Sequence, residues 1–262
     1  MHAPRLTSAP KRPDWIEIAI ASLWIVFVLG FYFLRSRDRL GYYAFVKEDS
    51  VAENLQAVFC LLSAIVGGVA SRRFFVHRER FLGIMFALFA VGMFSLFGEE
   101  ISWGQRIFGW SSTGYFAAEN MQQETNLHND EHLANIVHPV GIAIGIYAVC
   151  SSLLHVSFSR RGAKVASYFT TEWPVAGYFA VFTAIYVVYE YLNPSIRPWY
   201  GFDLVLWQDL EMAETFLTAG ILGWTILKLR SIDRCFGAAP APAVSASALP
   251  TPATASGLRV AS

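Results

Sequence analysis

The sequence predicts an all-α protein that crosses a lipid bilayer as a bundle of about six transmembrane helices. Hydrophobic residues make up 55% of the 262 residues and charged residues only 15%, whereas soluble globular domains carry about 25% charged residues. The apolar residues also form blocks, and a helix needs roughly 20 mostly apolar residues to cross the hydrocarbon core. This composition excludes a soluble domain and a disordered chain, and the net charge of zero argues against a nucleic-acid partner.

The first three spans are bounded by charged residues that cannot cheaply enter hydrocarbon. They cover Trp15–Leu34, Val51–Ala70 and Phe81–Phe97. Arg35 and Arg37 follow the first span, where a signal peptide would carry the small residues of a cleavage site, so we expect an uncleaved helix.

The last three spans cover Ile136–Val156, Pro174–Leu192 and Leu204–Leu229, so the transmembrane domain occupies residues 15–230. Gly141 and Gly145 in the fourth span form a G-x-x-x-G pattern, which predicts close packing against another helix. Residues 1–14 form an N-terminal segment. Residues 236–262 are rich in Ala, Pro and Ser and bury too little apolar surface to fold, so we expect a disordered tail.

Lysine and arginine are unevenly distributed between the loops, and the richer side is expected to face the cytoplasm. One side collects basic residues from the N-terminal segment, the second and fourth loops and the end of the last span. The other side, apart from the first loop, carries only Arg106 and Arg197. We therefore expect both termini in the cytoplasm and the long loop 98–135 outside it. The first loop is an exception, with Arg35, Arg37, Arg39 and Lys47.

The acidic residues gather on the side that we place outside the cytoplasm. Glu53, Glu211 and Glu214 lie within apolar segments, and ionised groups there are expected to face the bundle interior or a wet cavity. Glu211 and Glu214 are three residues apart and share one helical face. Glu99 and Glu100 end the third span on the same side. We predict a catalytic role for these five carboxylates. The alternative is a structural role, in which they form ion pairs with Arg106 or Arg197.

Three residues of the long loop follow one another at intervals of four: Glu124, His128 and His132. On a helix this spacing places the side chains on one face, where two imidazoles and a carboxylate suit a divalent metal such as zinc, manganese or iron. His128 and His132 also enclose the H-x-x-E-H spacing of inverted zinc peptidases. Helix capping and hydrogen bonding at the membrane surface explain such residues as well, so both interpretations stay open.

Two strings, G-E-E-I-S-W-G-Q-R at 98–106 and N-M-Q-Q-E-T-N-L-H-N at 120–129, together with Glu53, Glu211 and Glu214, resemble a family of uncharacterised bacterial multi-pass inner-membrane proteins. The resemblance covers roughly residues 45–230. It implies a bacterial inner membrane and brings no known activity. It also implies that the polar signature builds a site, in which we expect these residues to bind substrate: Trp103, Gln105, Arg106, Asn120, Gln122, Asn126 and Asn129.

Three functions fit this pattern, and the lipid bilayer is the partner common to all of them. The first is a metal-dependent hydrolase or transferase acting on a lipid or lipid-linked substrate, with a carboxylate as general base toward metal-bound water and Arg106 holding a phosphate or carboxylate head group. The second is a proton- or cation-coupled transporter with Glu53, Glu211 and Glu214 as ion sites. The third is a non-catalytic assembly partner in the membrane.

Overall fold

The computed structural model describes residues 14–47, 50–120, 122–127, 130–160, 164–200 and 204–236. The predicted all-α class is confirmed, because these residues form helices and turns, with an isolated bridge between Asn120 and Asp130 and no β-strand. Six helices within the described ranges are long and apolar enough to cross a membrane. The chain is therefore a multi-pass membrane protein. The predicted tail lies outside the described residues from residue 237 onward.

The first half of the chain forms the three predicted spans. It also forms one short helix that was not predicted. Helix α1 covers Trp15–Arg37, α2 covers Arg39–Val46, α3 covers Val51–Val76 and α4 covers Arg80–Glu100. The carboxylate of Asp14 starts α1 by accepting the backbone N–H groups of Ile16 and Glu17 at 3.0 and 3.1 Å. Asp38 ends α1 and starts α2, since its carboxylate accepts the N–H of Gly41 at 2.9 Å. The first loop therefore contains a helix.

The long loop runs from Ile101 to Asp130 and carries two short helices, α5 at Gln105–Phe108 and α6 at Tyr115–Glu119. The fourth span is α7, Glu131–Arg160, and a short helix α8 follows at Lys164–Phe169. The predicted loop 98–135 is therefore too long at both ends. Its first residues belong to α4, and its last ones form the first turn of α7, whose start Asp130 caps by accepting the N–H of His132 at 2.9 Å.

The fifth span is helical but changes its winding near one end. Helix α9 covers Trp173–Val187, a π-helical turn follows at Val188–Leu192, and α10 continues over Asn193–Tyr200. The sixth span is α11, Gln208–Phe236. It starts four residues later than the sequence predicts, because Leu204–Leu206 are not helical. There the Asn193 carboxamide oxygen accepts the N–H of Leu204 at 2.9 Å.

Helix α11 lies at the centre of the bundle. It packs against α3 on one side and α9 on the other, while α4 packs on α3 and α7 packs on α9. Phe216 of α11 is almost fully buried and contacts the ring of Phe31 on α1. The predicted glycine notch is confirmed: a Cβ added to Gly145 would lie 2.0 Å from the Thr183 hydroxyl of α9. Close approach of α7 and α9 therefore depends on this glycine.

Ion pairs join the start of the first span to the end of the last one. Asp14 accepts from Arg230 at 2.8 Å, and Glu17 lies 3.2 Å from Arg234. The backbone N–H of Glu17 and the guanidinium of Arg230 hold the pKa of Asp14 below its ordinary value of 3.8. Both ends of the bundle domain therefore lie on one side, as an even number of spans requires. The long loop lies at the opposite end, which we call the loop end; its location outside the cytoplasm stays a prediction.

Candidate functional site

A group of polar side chains lies inside the bundle where α3, α9 and α11 meet. We call it the carboxylate site, and its members are Glu53, Gln56, Tyr186, Glu211, Glu214 and Thr215. Glu53 is only 6% exposed and Gln56 is completely buried. The two belong to one face of α3 because they are three residues apart, as are Glu211 and Glu214 on α11. Glu53 therefore lies on the buried face of α3 that carries Gln56, and Gln56 contacts Glu211 of α11.

Gln56 connects α3 to α11. Its Nε2 donates to the backbone oxygen of Glu211 at 2.9 Å and to the Glu211 carboxylate at 3.1 Å. The Thr215 hydroxyl donates to the same backbone oxygen at 2.9 Å, so it is satisfied within its own helix. The Oε1 atom of Gln56 is buried and has no hydrogen-bond partner among the described residues. A completely buried amide oxygen of this kind is rare and costly.

Tyr186 connects α9 to α11. Its hydroxyl donates to the carboxylate of Glu214, and the tyrosine is only 3% exposed. Tyr186 also interacts electrostatically with Glu211 and with Glu190 of the π-helical turn. Tyr186 is not predictable as a site residue from the sequence, because an aromatic residue in an apolar span resembles its many lipid-facing neighbours.

A histidine–carboxylate pair lies beside Tyr186. Nδ1 of His138 is 2.5 Å from the Glu190 carboxylate, and the imidazole meets the Tyr186 ring edge-on with centroids 5.1 Å apart. The π-helical turn carries Glu190, and such turns often accompany functional sites. Neither residue was among the predicted site residues, although a histidine and a glutamate near the ends of two apolar spans are a signal that the sequence contains.

Glu99 and Glu100 lie next to each other at the end of α4 but have different surroundings. Glu99 holds the long loop: its oxygens accept the indole N–H of Trp103 at 2.7 Å and the backbone N–H of Leu127 at 2.5 Å. Glu100 interacts electrostatically, together with Glu214, with the buried thiol of Cys60 on α3. Glu100 therefore lies near the carboxylate site, whereas Glu99 belongs to the loop.

Several predicted substrate-binding residues stabilise the conformation of the long loop by hydrogen bonds within it. The Asn120 carboxamide accepts the backbone N–H groups of Gln122 and Glu124 at 3.0 Å and donates to Asn126 at 2.8 Å. The Gln105 carboxamide accepts the N–H of Thr125 at 2.8 Å. Asn120 and Asn126 are buried within this network. Their contacts explain why a loop that lacks regular structure needs so many amide side chains.

Trp103 lies in a tight turn that follows α4. Ser102, Trp103 and Gly104 all have left-handed backbone angles, with φ of 46°, 52° and 87°. The indole is half exposed and packs where Gly98 leaves space for it, since a Cβ there would be 2.9 Å from the ring. The side chain of Arg106 and the whole of Asn129 lie outside the described residues.

The proposed metal ligands do not share a helical face. Glu124 lies in the non-helical stretch before α7, where its carboxylate accepts from Ser102 and, at 2.8 Å, from Asn126. His132 lies in the first turn of α7, 3.5 Å from Glu119. The four-residue spacing therefore does not place the two side chains on one helix. His128 lies outside the described residues, and among the residues that the structure describes no three His, Cys, Asp or Glu side chains converge to hold a metal ion.

A second buried carboxylate lies at the loop end, at the start of α11. Asp209 is 2% exposed and accepts from the Tyr42 hydroxyl, from Nη2 of Arg35 at 2.8 Å and from the N–H of Leu206 at 2.8 Å. These contacts join α1, α2 and α11, so Asp209 has a structural role at this corner of the bundle.

The carboxylate site can exchange protons or bind a small cation. Its described hydrogen-bond donors to Glu211 and Glu214 include a neutral amide and a phenol, and its oxygen atoms are hard ligands. No protein-family model, curated protein or solved structure matches this chain, and the resemblance to a bacterial inner-membrane family stays a prediction.

Proposed function

We propose that this chain carries protons across the membrane and that the carboxylate site takes up and releases them. The observation that carries the proposal is Gln56: its Oε1 is buried without a hydrogen-bond donor among the described residues, while its Nε2 is 3.1 Å from the Glu211 carboxylate. A proton on a neighbouring carboxyl group would supply that donor. Protonation would also remove the charge that is costly inside the membrane.

The position of the site supports a link between protonation and the packing of the helices. Gln56 and Tyr186 hold Glu211 and Glu214 from two different helices, so a change of protonation alters the contacts of α11 with both α3 and α9. The π-helical turn beside the site interrupts the regular hydrogen bonding of the fifth span. Carriers place ion sites near interrupted helices because such segments rearrange at low cost.

An acid–base enzyme acting on a lipid or lipid-linked substrate is the second candidate. The specific observation that favours it is the pair of His138 and Glu190, whose imidazole lies edge-on to Tyr186. A carboxylate that orients a histidine is the usual arrangement of a general base. The metal-dependent form of this enzyme stays a prediction, because it requires His128.

Proton flux into proteoliposomes tests the carrier. Purified protein is reconstituted with a trapped pH-sensitive dye, and a potassium gradient with valinomycin provides the driving force. We expect flux above that of protein-free vesicles, and loss of that excess in Glu214→Gln. Glu17→Gln, at the opposite end of the bundle, is the matched control and should keep it. Flux unchanged in Glu214→Gln would contradict the proposal. If the protein instead converts the lipids of the vesicles, and His138→Ala abolishes the products, the result would favour the enzyme.

A further inference from the structure

A cavity opens at the loop end between α1, α2 and the segment that precedes α11. Its volume is about 500 Å³. Seven of its nine lining residues carry a polar or charged group; the lining residues are Tyr32, Arg35, Ser36, Arg39, Tyr42, Tyr43, Leu204, Leu206 and Gln208. This cavity includes two of the four basic residues of the first loop, which were the exception to the charge distribution.

The two arginines in the wall differ in how far their charge is compensated. Arg35 uses Nη2 to contact Asp209 at 2.8 Å and the backbone oxygen of Leu204 at 3.1 Å, which fixes its position. Arg39 is exposed and has no hydrogen bond or ion pair with any residue that the structure describes. The nearby Asp38 carboxylate is engaged at the start of α2 and does not line the cavity. Among the described residues, the Arg39 guanidinium in the cavity wall therefore has no carboxylate partner.

Tyrosine hydroxyls add neutral donors. Tyr32 and Tyr43 are 72% and 50% exposed and make no hydrogen bonds within the described part of the chain. A guanidinium binds phosphate oxygens strongly and can bind two oxygens at once, and phenolic O–H groups can donate further hydrogen bonds to them. The geometry points to a phosphate-binding site, and we propose that it binds the phosphate of an anionic phospholipid head group.

The surface below the cavity indicates a lipid and argues against a soluble phosphate. Ile25, Leu29, Tyr32 and Ser36 follow one another at intervals of four, three and four residues, so they form one stripe along α1. Ile25 and Leu29 are 45% and 62% exposed. Acyl chains can lie along this apolar stripe while the phosphate occupies the cavity, which adjoins the stripe at the loop end. Tyr32 belongs to both and marks the boundary between them.

Thermal unfolding of the full-length protein in detergent tests the site with a soluble short-chain lipid. The probe is dihexanoyl phosphatidylglycerol, and binding is measured as the rise in unfolding temperature during titration. Arg39→Glu reverses the charge of a side chain that makes no hydrogen bond or ion pair with the described residues and should weaken binding by at least about 10-fold. Arg37→Glu is the matched control: Arg37 is exposed, lies two residues away and does not line the cavity. It should bind like the wild type.

Two further arms make the result decisive. Tyr43→Phe removes one hydroxyl and should weaken binding by about 5-fold, which provides a test if Arg39→Glu does not fold. Equal affinity in the wild type, Arg39→Glu and Tyr43→Phe would overturn the site. Inorganic phosphate that binds as tightly as the lipid and displaces it would overturn the assignment to a phospholipid. This proposal does not depend on proton coupling, because neither variant touches the carboxylate site.

Discussion

Replacing Tyr186 by phenylalanine tests the contact between α9 and α11 with the smallest possible change. The variant keeps the ring, which is 3% exposed, and removes only the hydroxyl that donates to Glu214. Burial prevents a bulk water molecule from taking the place of the hydroxyl. The Glu214 carboxylate should therefore lose this hydrogen bond without gaining a replacement.

The size of the effect follows from the partner of the hydroxyl. A hydrogen bond to a charged group contributes about 1.5–3 kcal/mol, while polar contacts between membrane helices average about 0.6 and reach about 1.7 kcal/mol. The burial of Tyr186 points to the upper part of the membrane range, so we expect a loss of about 1.5 kcal/mol in unfolding free energy. Tyr178→Phe is the control on the same helix, since that hydroxyl donates to the neutral backbone oxygen of Ile20 at 3.1 Å. Its loss should be about 0.6 kcal/mol.

A double-mutant cycle assigns the energy to the pair itself. The unfolding free energies of the wild type, Tyr186→Phe, Glu214→Gln and the double variant are measured by denaturant titration in mixed micelles. We expect a coupling energy of about 1 kcal/mol between the two side chains. A coupling energy below about 0.3 kcal/mol would refute the contact and with it the geometry of the carboxylate site.

Three other changes probe the bundle and the loop. Gly145→Ala places a Cβ 2.0 Å from the Thr183 hydroxyl and should destabilise the protein by about 1–3 kcal/mol in the same titration. Asn120→Ala leaves two backbone N–H groups of the loop without their acceptor and should speed their hydrogen exchange about 10-fold. The Tyr115 hydroxyl and two backbone N–H groups lower the pKa of Asp130 below 3.8, so the cap of α7 is fully effective above pH 3.8 and is lost as the pH falls below it, measured by amide exchange in the first turn.

Each of these predictions has a control within the chain. Gly68→Ala should not destabilise, because a Cβ there meets nothing within 4 Å. Asn120→Asp keeps the acceptor oxygen and should preserve slow exchange better than alanine. Asp130→Asn removes the titrating group, so exchange in α7 should lose its extra acid dependence. Equal behaviour of a variant and its control would contradict the corresponding contact.

The helices could be predicted from the sequence because hydrocarbon imposes a simple rule on backbone and composition. Every span needs about 20 apolar residues, and six blocks satisfied this requirement. It was also predictable that the carboxylate side chains of Glu53 and Glu211 face away from lipid, since charged groups inside apolar helices must avoid lipid. Their partners were not, because the rotation of each helix is set by packing, and lipid-facing and buried residues are equally apolar in a membrane protein.

The loop was harder to predict for a different physical reason. Its conformation depends on hydrogen bonds between amide side chains and the backbone, such as those of Asn120 and Gln105, which have no periodic pattern in sequence. The same chemistry makes loop-stabilising residues look like substrate ligands. The spacing of Glu124 and His132 suggested a helix, whereas Asp130 starts α7 only after Glu124. Capping residues therefore carried more information here than regular spacing.

Infrared spectroscopy of the reconstituted protein tests the central claim most directly, because a protonated carboxyl group has its own C=O stretching band. Spectra are recorded while the pH is changed, for the wild type, Glu211→Gln and Glu214→Gln. We expect a carboxyl band that appears as the pH falls and is lost or diminished in at least one of the two variants. A pH-dependent carboxyl band that is the same in the wild type and both variants would contradict a proton-binding site at Glu211 and Glu214.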